Sequence, residues 1–157
     1  MLLILHNIRS VHNVGSIFRT ADAAGVSEII LSGYTPTPLD RFNQPRKDLA
    51  KVALGAEKTM PWRYVKTLGA TLTRVRKEKY LLVAIEQDEH STPLFEWHPP
   101  TDQPLAVLLG NEVRGISQPL LKKCDVILEI PMHGKKESLN VSVTAGIALF
   151  ALTHKGR

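Results

Sequence analysis

Apolar residues along this chain come in short runs divided by polar, Gly- and Pro-bearing stretches. Leu2–Leu5, Glu28–Ser32, Tyr80–Ile85, Leu105–Leu109 and Val126–Ile130 have the length and content of β-strands. Between them lie segments with helical spacing. In the stretch from Asn13 to Ala24, Val14, Ile17, Phe18 and Ala21 recur at i, i+3, i+4 and i+7 and form one apolar stripe. A basic helix is expected from Trp62 to about Glu78, and a short one around Pro119–Lys123. From Val141 to Leu152 nearly every residue is apolar or small, which predicts a terminal helix buried on most sides. Residues 34–48 carry three prolines and read as a long loop, which in a compact domain is usually functional or mobile. A second Pro-rich connection spans 93–104. Strands alternating with helices predict an α/β domain with a mostly parallel sheet.

At 157 residues the chain has the length of one domain, able to build a core without disulfides or metal. With Cys124 its only cysteine, no disulfide forms within the chain, and a reducing, intracellular (cytoplasmic) setting is the simplest expectation. The six histidines are scattered without zinc-site spacing, so no metal is expected. No segment reaches the roughly 18 consecutive apolar residues of a membrane span, and Met1–Ser10 has too short an apolar run for a signal peptide.

Charge narrows the class of partner. A net +5 and a pI near 9.5 suit a polyanion. Residues 41–80 hold 11 of the 20 Lys and Arg against Asp48, Glu57 and Glu78, a local +8, whereas residues 81–120 sum to −5. Such segregation fits a one-sided footprint on a phosphate backbone, or a solvated helix face.

Three segments carry candidate chemistry. In "NVGSIFRTADAAG" (13–25), Asn13 is placed to cap a helix and Gly15 permits close approach. Arg19 lies nearly opposite the apolar stripe, facing solvent, a ligand or another subunit, or pairing with Asp22. In "LAVLLGNEVRGIS" (105–117), an apolar strand ends at Gly110 and Glu112 follows in its loop. Carboxyl ends of parallel strands are where open α/β sheets bind ligands. "LEIPMHGKKESLNVSV" (128–143) repeats that design, and Ser138 or Asn140 is a natural cap for the last helix.

In this order the three segments resemble the SpoU/TrmH family of the SPOUT superfamily, RNA 2′-O-ribose methyltransferases that use S-adenosylmethionine. Asn13 and Arg19 match its first motif, Gly110 and Glu112 its second, and Ser138, Leu139 and Asn140 its third. The resemblance implies a SPOUT-type sheet with a C-terminal deep trefoil knot, an exception to the avoidance of threaded loops. It implies a homodimer with the active site near the interface, in keeping with a terminal helix too apolar for a small monomer's surface. It also implies a cofactor pocket formed by Ile85, Leu109, Gly110, Ile130, Met132 and Leu139, and a catalytic set of Asn13, Arg19, Glu112, Ser138 and Asn140.

Relatives often carry an added RNA-gripping domain. This chain is expected to be the bare catalytic domain, residues 1–157, with Arg41, Arg46, Lys47 and Lys51 as phosphate contacts. The implied reaction moves the sulfonium methyl to a ribose 2′-oxygen of transfer RNA, with ribosomal RNA open. A guanidinium with a pKa above about 12 is a reluctant base. Arg19 is therefore assigned to gripping phosphate and stabilising an alkoxide, the proton leaving to solvent, to a phosphate oxygen or to Arg19 itself. Asn13 is expected to orient Arg19, and Glu112 to position Arg19 or a ribose hydroxyl. Two other readings stay open: a non-enzymatic RNA-binding protein of the same fold, and an enzyme methylating a base nitrogen. A dinucleotide-binding fold is disfavoured, because "HNIRSVHNVG" lacks the Gly-rich turn after the first strand.

Overall fold

Continuous apolar strands need cover on both faces, and this chain supplies it with helices. The computed structural model describes residues 1–155. Their elements run β1 (Leu2–His6), α1 (Val11–Ala23), β2 (Glu28–Ser32), α2 (Lys47–Ala53), α3 (Ala56–Thr59), β3 (Trp62–Val65), α4 (Gly69–Lys77), β4 (Leu81–Ile85), β5 (Thr92–Pro93), β6 (Leu105–Leu109), α5 (Gln118–Leu121), β7 (Val126–Glu129) and α6 (Val141–Lys155). The strands form one sheet in the order β3-β2-β1-β6-β4-β7-β5. Every pairing is parallel.

Strand side chains alternate between two cores. Leu3, Leu5, Ile29, Leu31, Val107 and Leu109 pack with α1, α2 and α6 on one face. Leu2, Ile4, Ile30, Leu82, Ala106 and Leu108 pack with α4 and α5 on the other. Gly15, buried in α1, lets α2 come close: a Cβ there would lie 2.7 Å from the Leu49 carbonyl oxygen. Two crossovers run outward from β1 to β3, and β4 then falls on the far side of β6. The topological switch therefore lies at β1, β6 and β4, where the carboxyl ends of open sheets leave a crevice.

The structure corrects several expectations. Trp62–Val65 is an edge strand, not the start of a helix; it pairs with β2 from Ile29↔Trp62 to Ser32↔Val65. Only Gly69–Lys77 is helical. The apolar spacing of Trp62 and Val65 happens to phase with Leu68, Leu72 and Val75, while the free edge of β2 recruits the segment. The long loop ends at Arg46, since α2 begins at Lys47.

The basic segment is not one patch. α2 packs on the α1 face, whereas α4, with Arg74, Arg76 and Lys77 in its last turn, covers the opposite face. Glu28 holds Arg63 and Arg74 at 3.0 and 2.7 Å. Among the described residues no helix is long and apolar enough to cross a membrane. Nor does any group of three or more His, Cys, Asp or Glu stand ready for a metal.

Candidate active site

The carboxyl ends of β6, β4 and β7 surround a cavity of about 270 Å³. Ile85 enters from the end of β4, Leu109 and Gly110 from β6, Ile130 and Met132 from beyond β7, and Leu139 from the approach to α6. Three segments far apart in sequence thus converge on one space. Glu112 and Ser138 line it too. Gly110 is demanded by close packing, because a Cβ would stand 2.6 Å from Ile116 Cγ1 and 2.8 Å from the Gly115 carbonyl carbon. The wall mixes apolar side chains with the carboxylates Glu86, Glu112 and Glu129, and among the described residues no Lys, Arg or His is part of it. Such a wall favours an amphipathic ligand bearing positive charge.

Glu112 joins two of the sequence motifs. Its carboxylate accepts hydrogen bonds from the amides of Arg9 (2.9 Å) and Ser10 (3.1 Å) and from Asn13 Nδ2 (3.1 Å). It therefore sits at the amino end of α1, where backbone donors lack helical partners. Burial pushes this carboxyl up, but the amides of Arg9, Glu112 itself and Ser10, with the Asn13 side chain, outweigh that and hold it below its usual value. The cap of α1 is Ser10, whose hydroxyl accepts from the Asn13 amide at 3.2 Å, not Asn13 as expected. The helix starts two residues earlier than predicted, freeing the Asn13 side chain for Glu112.

Beside Glu112, buried Asn111 shapes the loop. Its Oδ1 accepts from the amides of Val113 (2.9 Å) and Arg114 (2.8 Å). Its Nδ2 donates to the Asn7 carbonyl (2.9 Å) and the Tyr34 hydroxyl (3.0 Å), tying β6 to β1 and β2.

Arg19 stands apart. It is exposed on α1, and no hydrogen bond or ion pair links it to Asn13, Glu112 or Asp22 among the described residues. The expectation that Asn13 orients Arg19 is therefore not met within one chain, nor is the first of the two alternatives for Glu112, positioning Arg19 rather than a ribose hydroxyl; the Asn13 and Glu112 side chains are engaged with each other. Asn140 precedes α6, and its Oδ1 accepts from the Ser142 amide (2.8 Å) and hydroxyl (2.7 Å). It is a helix cap in this structure and does not line the cavity; Ser138 does. Arg41, Arg46 and Lys47 line a separate depression beside the 34–46 loop, whereas Lys51 is exposed on α2 outside it. Arg46 is held by Asp48 at 3.0 Å.

Sequence reasoning passed over Glu86 and Gln87, which follow β4. Glu86 Oε2 accepts from the Ile116 amide at 2.8 Å, bracing the Glu112 loop. Gln87 Nε2 donates to the Glu137 carbonyl at 2.8 Å, bracing the segment that carries Ser138 and Leu139. Consecutive residues at one strand end thus hold both walls of the cavity. The signal available was positional: two polar side chains directly after an apolar strand.

The model of the SpoU rRNA Methylase family matches residues 1–150. The chain belongs to that family. Among relatives of this SpoU chain, the 23S rRNA (guanosine-2′-O-)-methyltransferase RlmB of Photobacterium profundum is 36% identical over 150 residues, covering 96% of the chain and 58% of the relative. A putative TrmH family tRNA/rRNA methyltransferase of Staphylococcus saprophyticus is 34% identical over 154 residues, covering 98% and 58%. The SpoU chain therefore spans a little under three-fifths of these relatives' length. In three dimensions it resembles the AdoMet-bound rRNA methyltransferase from Sinorhizobium meliloti, with a TM-score of 0.82, 28% identity, and coverage of 96% of this chain and 54% of that one. The SpoU methyltransferase AviRb from Streptomyces viridochromogenes, in complex with AdoMet, gives a TM-score of 0.83, 26% identity, and coverage of 98% and 59%.

Proposed function

We propose that this chain transfers a methyl group from S-adenosylmethionine to a ribose 2′-oxygen of transfer or ribosomal RNA. The convergence of Ile85, Leu109, Gly110, Ile130, Met132 and Leu139 on one cavity walled by carboxylates carries this reading. Bound there, the cofactor supplies an electrophilic methyl on a positively charged sulfur. The apolar side chains exclude water from it, Gly110 lets the Glu112 loop pack close, and the carboxylate wall matches its charge. That Glu112 loop and the loop ending in Ser138 are the parts of the chain the family's trefoil knot would involve.

Arg19 holds a backbone phosphate and stabilises the developing alkoxide as a fixed cation. Its lack of a hydrogen bond or ion pair to the Asn13–Glu112 pair among the described residues supports a homodimer in which a second copy completes the site. α6 supports the same assembly, because Val143 and Phe150 are 48% and 51% exposed on a helix whose Val141, Ala145, Ala148, Leu149 and Leu152 pack into the core. They leave an apolar stripe with half-buried Ile147 that a second copy would cover. Glu112 and Asn13 hold the amino end of α1 against the cavity, Ser138 orders its mouth, and Asn140 starts α6. The setting is cytoplasmic, where RNA and cofactor meet.

Labelled S-adenosylmethionine with unmodified transfer RNA and, separately, ribosomal RNA tests the proposal. Label entering one RNA and recovered in a 2′-O-methylnucleoside supports it. Label on a base redirects the chemistry, and absence of cofactor binding overturns the reading.

A further inference from the structure

The cofactor-type cavity shares walls with its neighbours. Asn111 and Val113 line it and also a depression of about 620 Å³ with Arg9, Tyr34 and Arg114. Tyr34 in turn lines a third depression, of about 880 Å³, with Phe42, Tyr64, Arg41 and Lys47. The three run along the carboxyl edge of the sheet from β7 and β4 past β1 to β2 and β3, so β6 and β3 stand three strand spacings apart, about 14 Å.

Chemistry changes along that line. Among the described residues, carboxylates without a cation wall the first cavity; guanidinium groups line the other two, joined by the Lys47 ammonium in the third. Arg9, Arg114, Arg41 and Lys47 form no salt bridge among the described residues. The acids in the third depression are occupied: Asp48 holds Arg46, and Asp40 accepts the amides of Phe42 and Gln44 at 2.8 and 2.9 Å. One end therefore suits a cationic ligand and the rest a polyanion.

Aromatic rings stand between those cations. Tyr34, Phe42 and Tyr64 are 57%, 67% and 47% exposed, unusual for rings on so small a chain. Two are fixed in place. The Tyr34 hydroxyl accepts from Asn111 Nδ2, its amide donates to Asn7 Oδ1 at 3.3 Å, and the Tyr64 hydroxyl donates to the Gly33 carbonyl at 2.8 Å. Behind them His6 accepts from Asn7 Nδ2 at 3.1 Å through Nε2, which leaves its Nδ1–H to donate to Ser32 Oγ at 2.8 Å. Arg41 stands 4.7 Å from the centre of the Phe42 ring, a flat cation beside an aromatic face. Exposed rings interleaved with unpaired cations are how proteins hold single-stranded nucleic acid, whereas paired bases offer no faces to such rings.

We propose that the two depressions at the ends of β1, β2 and β3 bind unpaired nucleotides flanking the methylated one, with Tyr34, Phe42 and Tyr64 stacking on bases and Arg9, Arg114, Arg41 and Lys47 contacting phosphates. The proposal rests on the reading of the neighbouring cavity as a cofactor site and of the substrate as RNA. The Tyr34–Asn111 hydrogen bond links the stacking surface to the loop that carries Glu112.

Fluorescence anisotropy with a labelled mixed-sequence oligoribonucleotide, single-stranded or annealed to its complement, tests it on the full chain. Wild type should bind the single strand more tightly than the duplex. Phe42→Ala should weaken single-strand binding roughly five- to a hundredfold, the range for losing one stacked base, and Phe42→Tyr, which keeps the ring, should restore it. Equal binding of both RNA forms, or an unchanged Phe42→Ala variant, overturns the proposal. A parallel titration of wild type with S-adenosylhomocysteine separates the failures. No binding there removes the underlying reading and this proposal with it; binding there beside an indifferent Phe42→Ala removes this proposal alone.

Discussion

Replacing Glu112 by Gln tests the link between the first and second motifs. The carboxylate accepts three hydrogen bonds, two from amides at the open end of α1 and one from Asn13. A Gln amide keeps one acceptor oxygen and turns an NH2 group toward donors that can no longer be satisfied. One charge-assisted hydrogen bond contributes about 1.5–3 kcal/mol, and a negative charge at a helix amino end adds about 0.3–1 kcal/mol. Glu112 is only partly buried, so water recovers some of this and a net loss of about 2 kcal/mol is expected. At about 2–4 °C per kcal/mol for a chain of this size, the melting temperature should fall by about 4–8 °C near neutral pH.

The effect has a signed pH dependence. Glu112 is held below its ordinary value in the fold, so its contribution is complete above the unfolded pKa, near 4.5, and is lost as pH falls through the lowered folded value. Thermal melts of both proteins at about pH 7.5, 5 and 4 should show the gap narrowing only at the acid end. A Gln variant that melts with wild type at neutral pH, or a gap indifferent to pH, would refute the reasoning.

Arg19→Ala should lower single-turnover methyl transfer about 10²–10³-fold, the range for losing one preorganised charge, with S-adenosylhomocysteine affinity unchanged; equal turnover would remove Arg19 from the chemistry. Gln87→Ala, which frees the Glu137 carbonyl, should weaken S-adenosylhomocysteine about five- to tenfold with little change in melting temperature; unchanged affinity would mean the two loops hold without it. The His6 imidazole, lowered by burial, should titrate by NMR below its usual value near 6.5. Because the fold then favours the neutral ring, it costs stability as pH drops below that value, and a His6 titrating at or above it would contradict the packing.

Five strands were legible in the sequence because each carries a short apolar run bounded by polar residues. β1, β2, β4, β6 and β7 all fall within a residue of expectation at each end. β3 was not, because a half-exposed edge strand of four residues leaves no run to see, and its spacing mimics the helix that follows. α2 was hidden in the basic stretch after the loop, where seven residues with only Leu49 and Ala53 buried make a weak stripe. Strand-end position pointed to the loops of Gly110–Glu112 and Ser138–Asn140. That the two meet needed the sheet order, which sets β4 between β6 and β7 and brings their carboxyl ends together. The roles of Glu86 and Gln87 were illegible for the same reason, since both their partners are distant in the chain.

The central claim is methylation at a ribose oxygen, and alkali decides it directly. Alkaline cleavage of RNA uses the 2′-hydroxyl as nucleophile, so a methyl on that oxygen protects the adjoining phosphodiester. RNA labelled by this protein from S-adenosylmethionine should release its label after alkaline digestion in a resistant dinucleotide. Label appearing in mononucleotides instead would place the methyl on a base and contradict the account.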